Sequence, residues 1–420
     1  MTGTPAPLTY RRALPTLVLL AVVLAAGNTM MGAFSTVQEA ARAELGLSDN
    51  QLGLLQGLAV SIPLALLSIP VGLAVDRLNR VRILFITSAV WTLGTALTAV
   101  ASSLPLLFVA RMLAGLGANI STAIAISIAA DLCLPDQRGR TLLLLTVGKY
   151  AGTALAFALT GWLLGLIPAG PQAWRSVHLA LAGISALVTA AILLMREPPR
   201  LEQEVAAGAP LRAVAGELWS YRRFLIPLFL GQTAVLMADA SAAIWAAPIL
   251  SRNFNLSPQQ FSGWMGAVIF GSGVLGALIG GASADWGHRL HRRGGVLTGA
   301  VIASLLALPA ALFPLAGTTT TFAIALFVLL LGGTITGLIT ATAIAVLLPN
   351  ELRGLCVGSF IAIGGLIAFG AGPSLVAGVS SMLGGGTHLA EALAIVGTTV
   401  SVIGAIGFAL AMRLAPGPVR

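Results

Sequence analysis

The chain has 420 residues, of which 57% are hydrophobic and only 9% charged, with a formal net charge of +9. A water-soluble domain carries about 25% charged residues, so this composition excludes a soluble globular fold. Apolar runs of about 18 residues or more recur along the whole length, which points to a polytopic helical membrane protein and excludes a β-barrel, whose strands would be short and alternating.

Taken in order, the chain opens with Arg11 and Arg12 before its first apolar run. No small-residue cleavage site follows, so the run reads as a retained first helix and not a signal peptide. Twelve membrane helices are predicted, at 14–36, 51–75, 82–102, 105–131, 141–167, 176–195, 223–249, 258–284, 295–315, 321–348, 355–382 and 389–412. Several connections are short, which makes neighbouring helices antiparallel. The longest internal connection runs from Arg196 to Arg223 and divides the chain into an N-terminal bundle (1–195), a cytoplasmic linker (196–222) and a C-terminal bundle (223–420).

The positive balance does not point to nucleic acid, because the basic residues stand singly in turns between apolar runs and set topology. With both termini in the cytoplasm, 18 of the 23 Lys and Arg residues fall on that side. Arg42, Arg175 and Arg252 lie outside, and Arg111 and Lys149 lie within helices. The bias predicts an inner (plasma) membrane protein of that orientation. The two cysteines, Cys133 and Cys356, sit near predicted cytoplasmic helix ends and have no metal-site spacing. Glycine pairs such as Gly148 and Gly152, or Gly115 and Gly117, suit close helix packing, while Gly372 followed by Pro373 could bend the eleventh helix.

The second and third predicted helices meet in a charged turn, Gly72, Asp76, Arg77, Asn79, Arg80 and Arg82. It returns 209 residues later as Gly281, Asp285 and Arg289. Leu47/Leu256, Ser48/Ser257, Gln51/Gln260, Gly57/Gly266 and Arg80/Arg289 keep the same offset, which indicates a duplicated chain.

This 6+6 plan with its charged turn resembles the major facilitator superfamily. The turn matches that family's helix 2–3 signature, G-x-x-x-D-R-x-x-R-x-R, with Asn79 where many members carry Gly. Arg111, Gly115 and Gly117 match a second signature, R-x-x-x-G-x-G, in the fourth helix. The stretch from Leu47 to Gly57 is most similar to the spinster-like branch, which is associated with lysolipids and sphingoid compounds, often moved with protons. That branch usually carries an Asp-Arg pair in helix 1, where this chain has Asn28-Thr29. It often carries an acid after the second glycine of helix 4, where this chain has Ala118-Asn119. The resemblance implies an all-α fold of two pseudo-symmetric six-helix bundles that alternate access to a midplane site, and no enzyme or cofactor.

Lys149 is the sharpest candidate for chemistry, being the only lysine against 22 arginines. It lies roughly 12 Å into the predicted fifth helix, at 1.5 Å per residue. A roughly 6 Å side chain does not easily snorkel that far. A charge at that depth costs ~2.5–3.5 kcal/mol unless it meets water or a partner, so Lys149 is expected to line a cavity, binding an anionic group or titrating. Arg111 either borders the cavity, as the resemblance implies, or satisfies backbone carbonyls. Asp239 is the one carboxylate well inside a helix and is the candidate for a coupling proton, or else an outer gate residue. Asn28, Asn119, Tyr150 and Trp245 complete the candidate cavity, with Gln56, Gln232, Thr336 and Thr340 as further polar positions that more often form interhelical hydrogen bonds.

Gly72, Asp76, Arg77, Arg80, Asp131, Asp285 and Arg289 are expected to form a cytoplasmic latch. In it, Gly72 lets the second helix approach the eleventh, Arg77 or Arg80 reaches Asp131, and Arg289 reaches Glu351. The expected function is a monomeric secondary transporter of an organic anion or lysolipid-like molecule. A transporter-like sensor that binds without moving its ligand is the alternative.

Overall fold

The computed structural model describes residues 10–134, 137–200, 211–289 and 292–416. Every regular element among them is helical, and twelve helical stretches are long and apolar enough to cross a membrane. The first, α1 (Tyr10–Leu45), runs nine residues past its predicted end. Its extra turns, from Val37 to Leu45, are rich in Ala, Glu, Gln and Arg, all good helix formers. Gly46, at φ 63°, then ends it in the left-handed region.

The second predicted span is two helices, α2 (Asp49–Gln56) and α3 (Leu58–Arg77). Ser48 Oγ accepts from Gln51 N at 3.3 Å and Gln51 Oε1 accepts from Ser48 N at 2.8 Å, a reciprocal cap that fixes where α2 begins. Gly57 makes the break. A Cβ there would stand 2.8 Å from both Gly53 O and Phe369 O, so the backbone comes closer than any side chain allows.

The next spans are α4 (Arg80–Val100), α5 (Leu104–Leu132), α6 (Arg138–Leu166) and α7 (Ala173–Ile192). A short helix, α8 (Leu211–Ser220), precedes α9 (Arg222–Asn253), α10 (Pro258–Arg289), α11 (Thr298–Ala310) and α12 (Thr319–Leu347). The eleventh span is α13 (Asn350–Gly365), a π-helical turn over Leu366–Ala371, and α14 (Gly372–Met382). Pro373 has no N–H and would press its ring on the carbonyl four residues back, and the wider π turn sits where that conflict would fall. The last span belongs to α15 (Leu389–Leu414).

Packing sorts the chain into two compact units. One comprises Met1–Leu47, Ala59–Ala207 and Pro258–Gly266, and the other Ser48–Leu58, Gly208–Ser257 and Ala267–Arg420. In the first unit α6 lies directly on α1: a Cβ on Gly152 would fall 2.2 Å from Ala25 O and one on Gly148 2.6 Å from Ala21 O. Small residues supply close van der Waals contact where lipid removes the hydrophobic drive between helices, and Thr29 Oγ1 adds a bond to Gly152 O at 3.0 Å. Around this pair are packed Leu17, Leu20, Trp91 and Ile124. The second unit repeats the device on α9 and α15, where a Cβ on Gly407 would stand 2.6 Å from Gly231 Cα. Phe224, Leu228, Ile339 and Phe408 fill its core.

Candidate functional site

The charged turn is a clamp inside the first unit. Asn79 Oδ1 accepts from Arg82 N at 2.8 Å and so caps α4, which accounts for an Asn in a turn where glycine would offer no cap. Arg80 is buried, with its Nε on Glu197 Oε1 at 2.7 Å, Nη1 on Ser127 O at 3.1 Å and Nη2 on Pro198 O at 3.0 Å. Nη1 also pairs with Asp131. Glu197 Oε2 in turn accepts from Val81 N at 2.9 Å. Arg200 Nη2 closes the end of α3 on Val75 O (2.7 Å) and Leu78 O (2.8 Å), two carbonyls its last turn leaves open. The turn is thereby tied to the end of α5 and to the segment after α7.

Of the two arginines expected to reach Asp131, Arg80 does so and Arg77 is exposed. Gly72 is not a point of close approach: a Cβ there would meet no described atom within 4 Å. The side chains of Asp76 and Glu351 lie outside the described residues, and Asp285 and Arg289 are exposed at the end of α10.

Arg111 of α5 is fully buried, its Nη2 on Met31 O at 2.6 Å and its guanidinium 5.2 Å from the centre of the Phe34 ring. Phe34, Trp174 and His178 form an edge-to-face cluster behind it. This is the carbonyl-satisfying arrangement, with a cation–π contact added. Gly115 and Gly117 of the same signature pack on Val60 and on Thr87 O. Asn28 donates to Leu24 O of its own helix at 2.8 Å, and the Asn119 side chain lies outside the described residues.

Lys149 differs from these. It is exposed, and no described residue bonds its ammonium. Because α6 begins at Arg138 and not at residue 141, Lys149 is about 16 Å from that end, near the middle of a 29-residue helix. Tyr150 beside it is half-buried.

In the second unit α9 and α12 meet in one antiparallel register. Thr340 Oγ1 bonds Gln232 Oε1 at 3.1 Å, and seven residues further along α9, seven back along α12, Asp239 lies against Gly333. A Cβ on Gly333 would stand 1.8 Å from Asp239 Oδ2, so glycine there makes the socket for the carboxyl. Asp239 Oδ1 is sealed from solvent and has no hydrogen-bond partner among the described residues. Thr336 spends its hydroxyl on Gly333 O at 3.0 Å. Trp245, expected as an amphipathic cavity wall, is instead fully buried, its Nε1 on Pro373 O at 3.1 Å. It ties α9 to the first turn of α14.

Two charged clusters had no signal in the sequence. Asp49 Oδ1 and Oδ2 take Arg252 Nη2 and Nη1 at 2.7 and 2.8 Å in a bidentate pair. Glu44 accepts from Trp174 Nε1 at 2.6 Å and Arg175 Nε at 3.0 Å. No group of three His, Cys, Asp or Glu among the described residues could hold a metal.

Twelve helical stretches long and apolar enough to cross a membrane, on a duplicated six-helix plan with isolated ionisable groups inside the helices, define a polytopic membrane protein. The Major Facilitator Superfamily profile matches residues 17–373, and the chain belongs to that superfamily. It is a multi-pass membrane protein of that superfamily, whose members take small-molecule substrates.

The 3-(3-hydroxy-phenyl)propionate transporter of Escherichia coli (strain K12) is 29% identical over 349 residues, 81% of this chain and 78% of that one. The multidrug resistance protein B homolog of Mycobacterium tuberculosis (strain CDC 1551 / Oshkosh) is 30% identical over 180 residues, 42% of this chain, and the chain spans only 30% of that relative's length. The crystal structure of a bacterial homolog to the human lysosomal transporter Spinster, inward-facing and unoccupied, has a TM-score of 0.77 over 98% of each chain at 20% identity, a likeness of fold.

Proposed function

We propose that the chain carries a small organic anion across the plasma (inner) membrane by alternating access, coupled to a proton. Lys149 carries the reading. Its ammonium is exposed in the middle of a membrane helix and bonded to no described residue. Facing acyl chains it would cost ~2.5–3.5 kcal/mol, so the exposed tip belongs to a watered path. There, a compact cation on a flexible stem is the group that a carboxylate meets. The similarity to the E. coli hydroxyphenylpropionate transporter over most of both chains supports a carboxylate-bearing cargo over a lysolipid-like one.

Arg111 acts as a brace between α5 and α1, since its guanidinium is buried against Met31 and Phe34. Arg is not deprotonated in proteins, so it carries no proton. Asp239 carries it: Oδ1 is a buried oxygen without a described partner, able to hold a proton in one state and release it in another. The positive-inside bias supports an orientation with both termini in the cytoplasm.

The test is flux in proteoliposomes, with 3-(3-hydroxyphenyl)propionate and lysophosphatidylglycerol as alternative cargoes. Saturable uptake of the aromatic acid is expected, reduced at least about tenfold by Lys149→Ala and largely kept by Lys149→Arg, a difference of ~1.4 kcal/mol or more. Flux indifferent to Lys149→Ala would remove the organic-anion reading, and flux of the lysolipid alone would replace the cargo. Binding without flux would make the chain a sensor.

A further inference from the structure

We propose that a cleft between the start of α4 and the end of α7 binds one acyl chain of an anionic glycerophospholipid, with the lipid phosphate at Arg82. The cleft holds about 370 Å³, within the range of small-molecule sites. Val81, Phe85, Ile192 and Met195 line its depth and are buried or half-buried. Ile86 and Leu193, at 59% and 68% exposure, form its outer lips. Ile86 lies inside a candidate membrane span and Leu193 one residue past the end of another, so the apolar lips sit where acyl chains begin in the proposed arrangement.

The charge at the rim selects the headgroup. Asn79, Arg82 and Glu197 are the polar residues lining the cleft. Glu197 turns both oxygens into the protein, Oε1 to Arg80 and Oε2 to Val81 N, so its charge is already paired. Asn79 Oδ1 is committed to capping α4. Arg82 is exposed with its guanidinium bonded to no described residue, and Arg196, between the lining residues Met195 and Glu197, is also exposed. The rim is therefore cationic above an apolar slot, at the level where the apolar runs of α3 and α4 break. A basic pocket between helices at that level is complementary to an anionic lipid head, and the slot below it to the lipid's own chain. A free phosphate would use the rim and leave the walls unused.

The site is separate from Lys149 and Asp239, so its test reads lipid and not flux. The full-length chain, purified in a mild detergent, is melted with added phosphatidylglycerol, phosphatidylcholine or glycerol 3-phosphate, and bound lipid is counted by native mass spectrometry. Phosphatidylglycerol is expected to raise the melting temperature by at least about 3 °C more than phosphatidylcholine, with one adduct retained. Arg82→Gln should abolish that difference and Arg82→Lys keep most of it. Leu193→Trp, which plugs the slot from an exposed position, should abolish the adduct while Arg82 remains. Equal protection by phosphatidylcholine, equal protection by glycerol 3-phosphate, or a phosphatidylglycerol adduct undiminished in both Arg82→Gln and Leu193→Trp would each overturn the proposal.

Discussion

Two residues with similar sequence credentials have opposite surroundings. Arg111 and Lys149 are both cations within membrane helices, yet one is enclosed by a carbonyl and a ring and the other is open and unbonded. The distinction follows from side-chain chemistry, since a planar guanidinium stacks and forks where an ammonium needs water or a counter-charge. Asp239 has a different dependence, because its room is made by the missing side chain of Gly333. Gly333→Ala would drive a methyl group into Oδ2 and should destabilise the protein by about 1–3 kcal/mol, read as a lower melting temperature in detergent. Adding Asp239→Ala to that variant should restore part of the loss, and additive effects would show that the two residues do not share a socket. For coupling, Asp239→Asn should preserve exchange of substrate down its own gradient and abolish accumulation driven by a proton gradient. Accumulation at the normal level would exclude Asp239 as the proton carrier.

The helices themselves were legible from apolar periodicity and the charged turns, because each span must satisfy its backbone internally and so appears as a long run. Their ends and breaks were less so. The end of α1 was placed nine residues early because polar helix formers continue beyond the apolar stretch. The Gly57 break is set by a carbonyl of Phe369, more than 300 residues away, which no local pattern contains. The π turn was half legible: Pro373 announced a bend, but not that six residues before it would widen. Within the charged turn the pairing of Arg80 with Asp131 followed from the signature. The second partner, Glu197, depended on how the segment after α7 folds back. Arg80→Ala would leave Asp131 and Glu197 facing each other's charge. Since both carboxylates keep some exposure, the expected cost is about 2–3 kcal/mol, below that of a fully buried pair, and Glu197→Gln in the same background should recover part of it. A melting temperature unchanged in Arg80→Ala would mean that the clamp contributes nothing to stability.

At the scale of the molecule, the sequence carried the duplication and the positive-inside bias, and both bear on topology. With Cys133 and Cys356 replaced, a cysteine in place of exposed Arg140 should label only from the cytoplasm, and one in place of exposed Gln172 only from outside. The reverse pattern would invert the proposed orientation. The make-up of the two units was not legible, since it depends on where short pieces of helix pack and not on where the linker falls. Residues 48–58 belong to the second unit and 258–266 to the first, at nearly the same positions in the repeat. A chain cut after residue 205 and expressed as two fragments should therefore give stable protein and flux only when both fragments are made together. Either fragment alone should be degraded or aggregate, because each lacks a piece of its own unit.

The same exchange constrains inheritance. Neither half of the gene encodes a finished unit: the first half supplies α2, where a Cβ on Gly53 would stand 3.2 Å from Pro373 O, and the second supplies Ser262, against which Gly161 packs. A relative that acquired a foreign half by recombination would receive a tooth without its matching notch at two places. Viable crossovers should then fall before residue 48, which keeps both contacts within one parent, or carry compensating changes at these contacts, and substitutions at Gly53 and Gly161 should be judged by selection against the sequence of the opposite half.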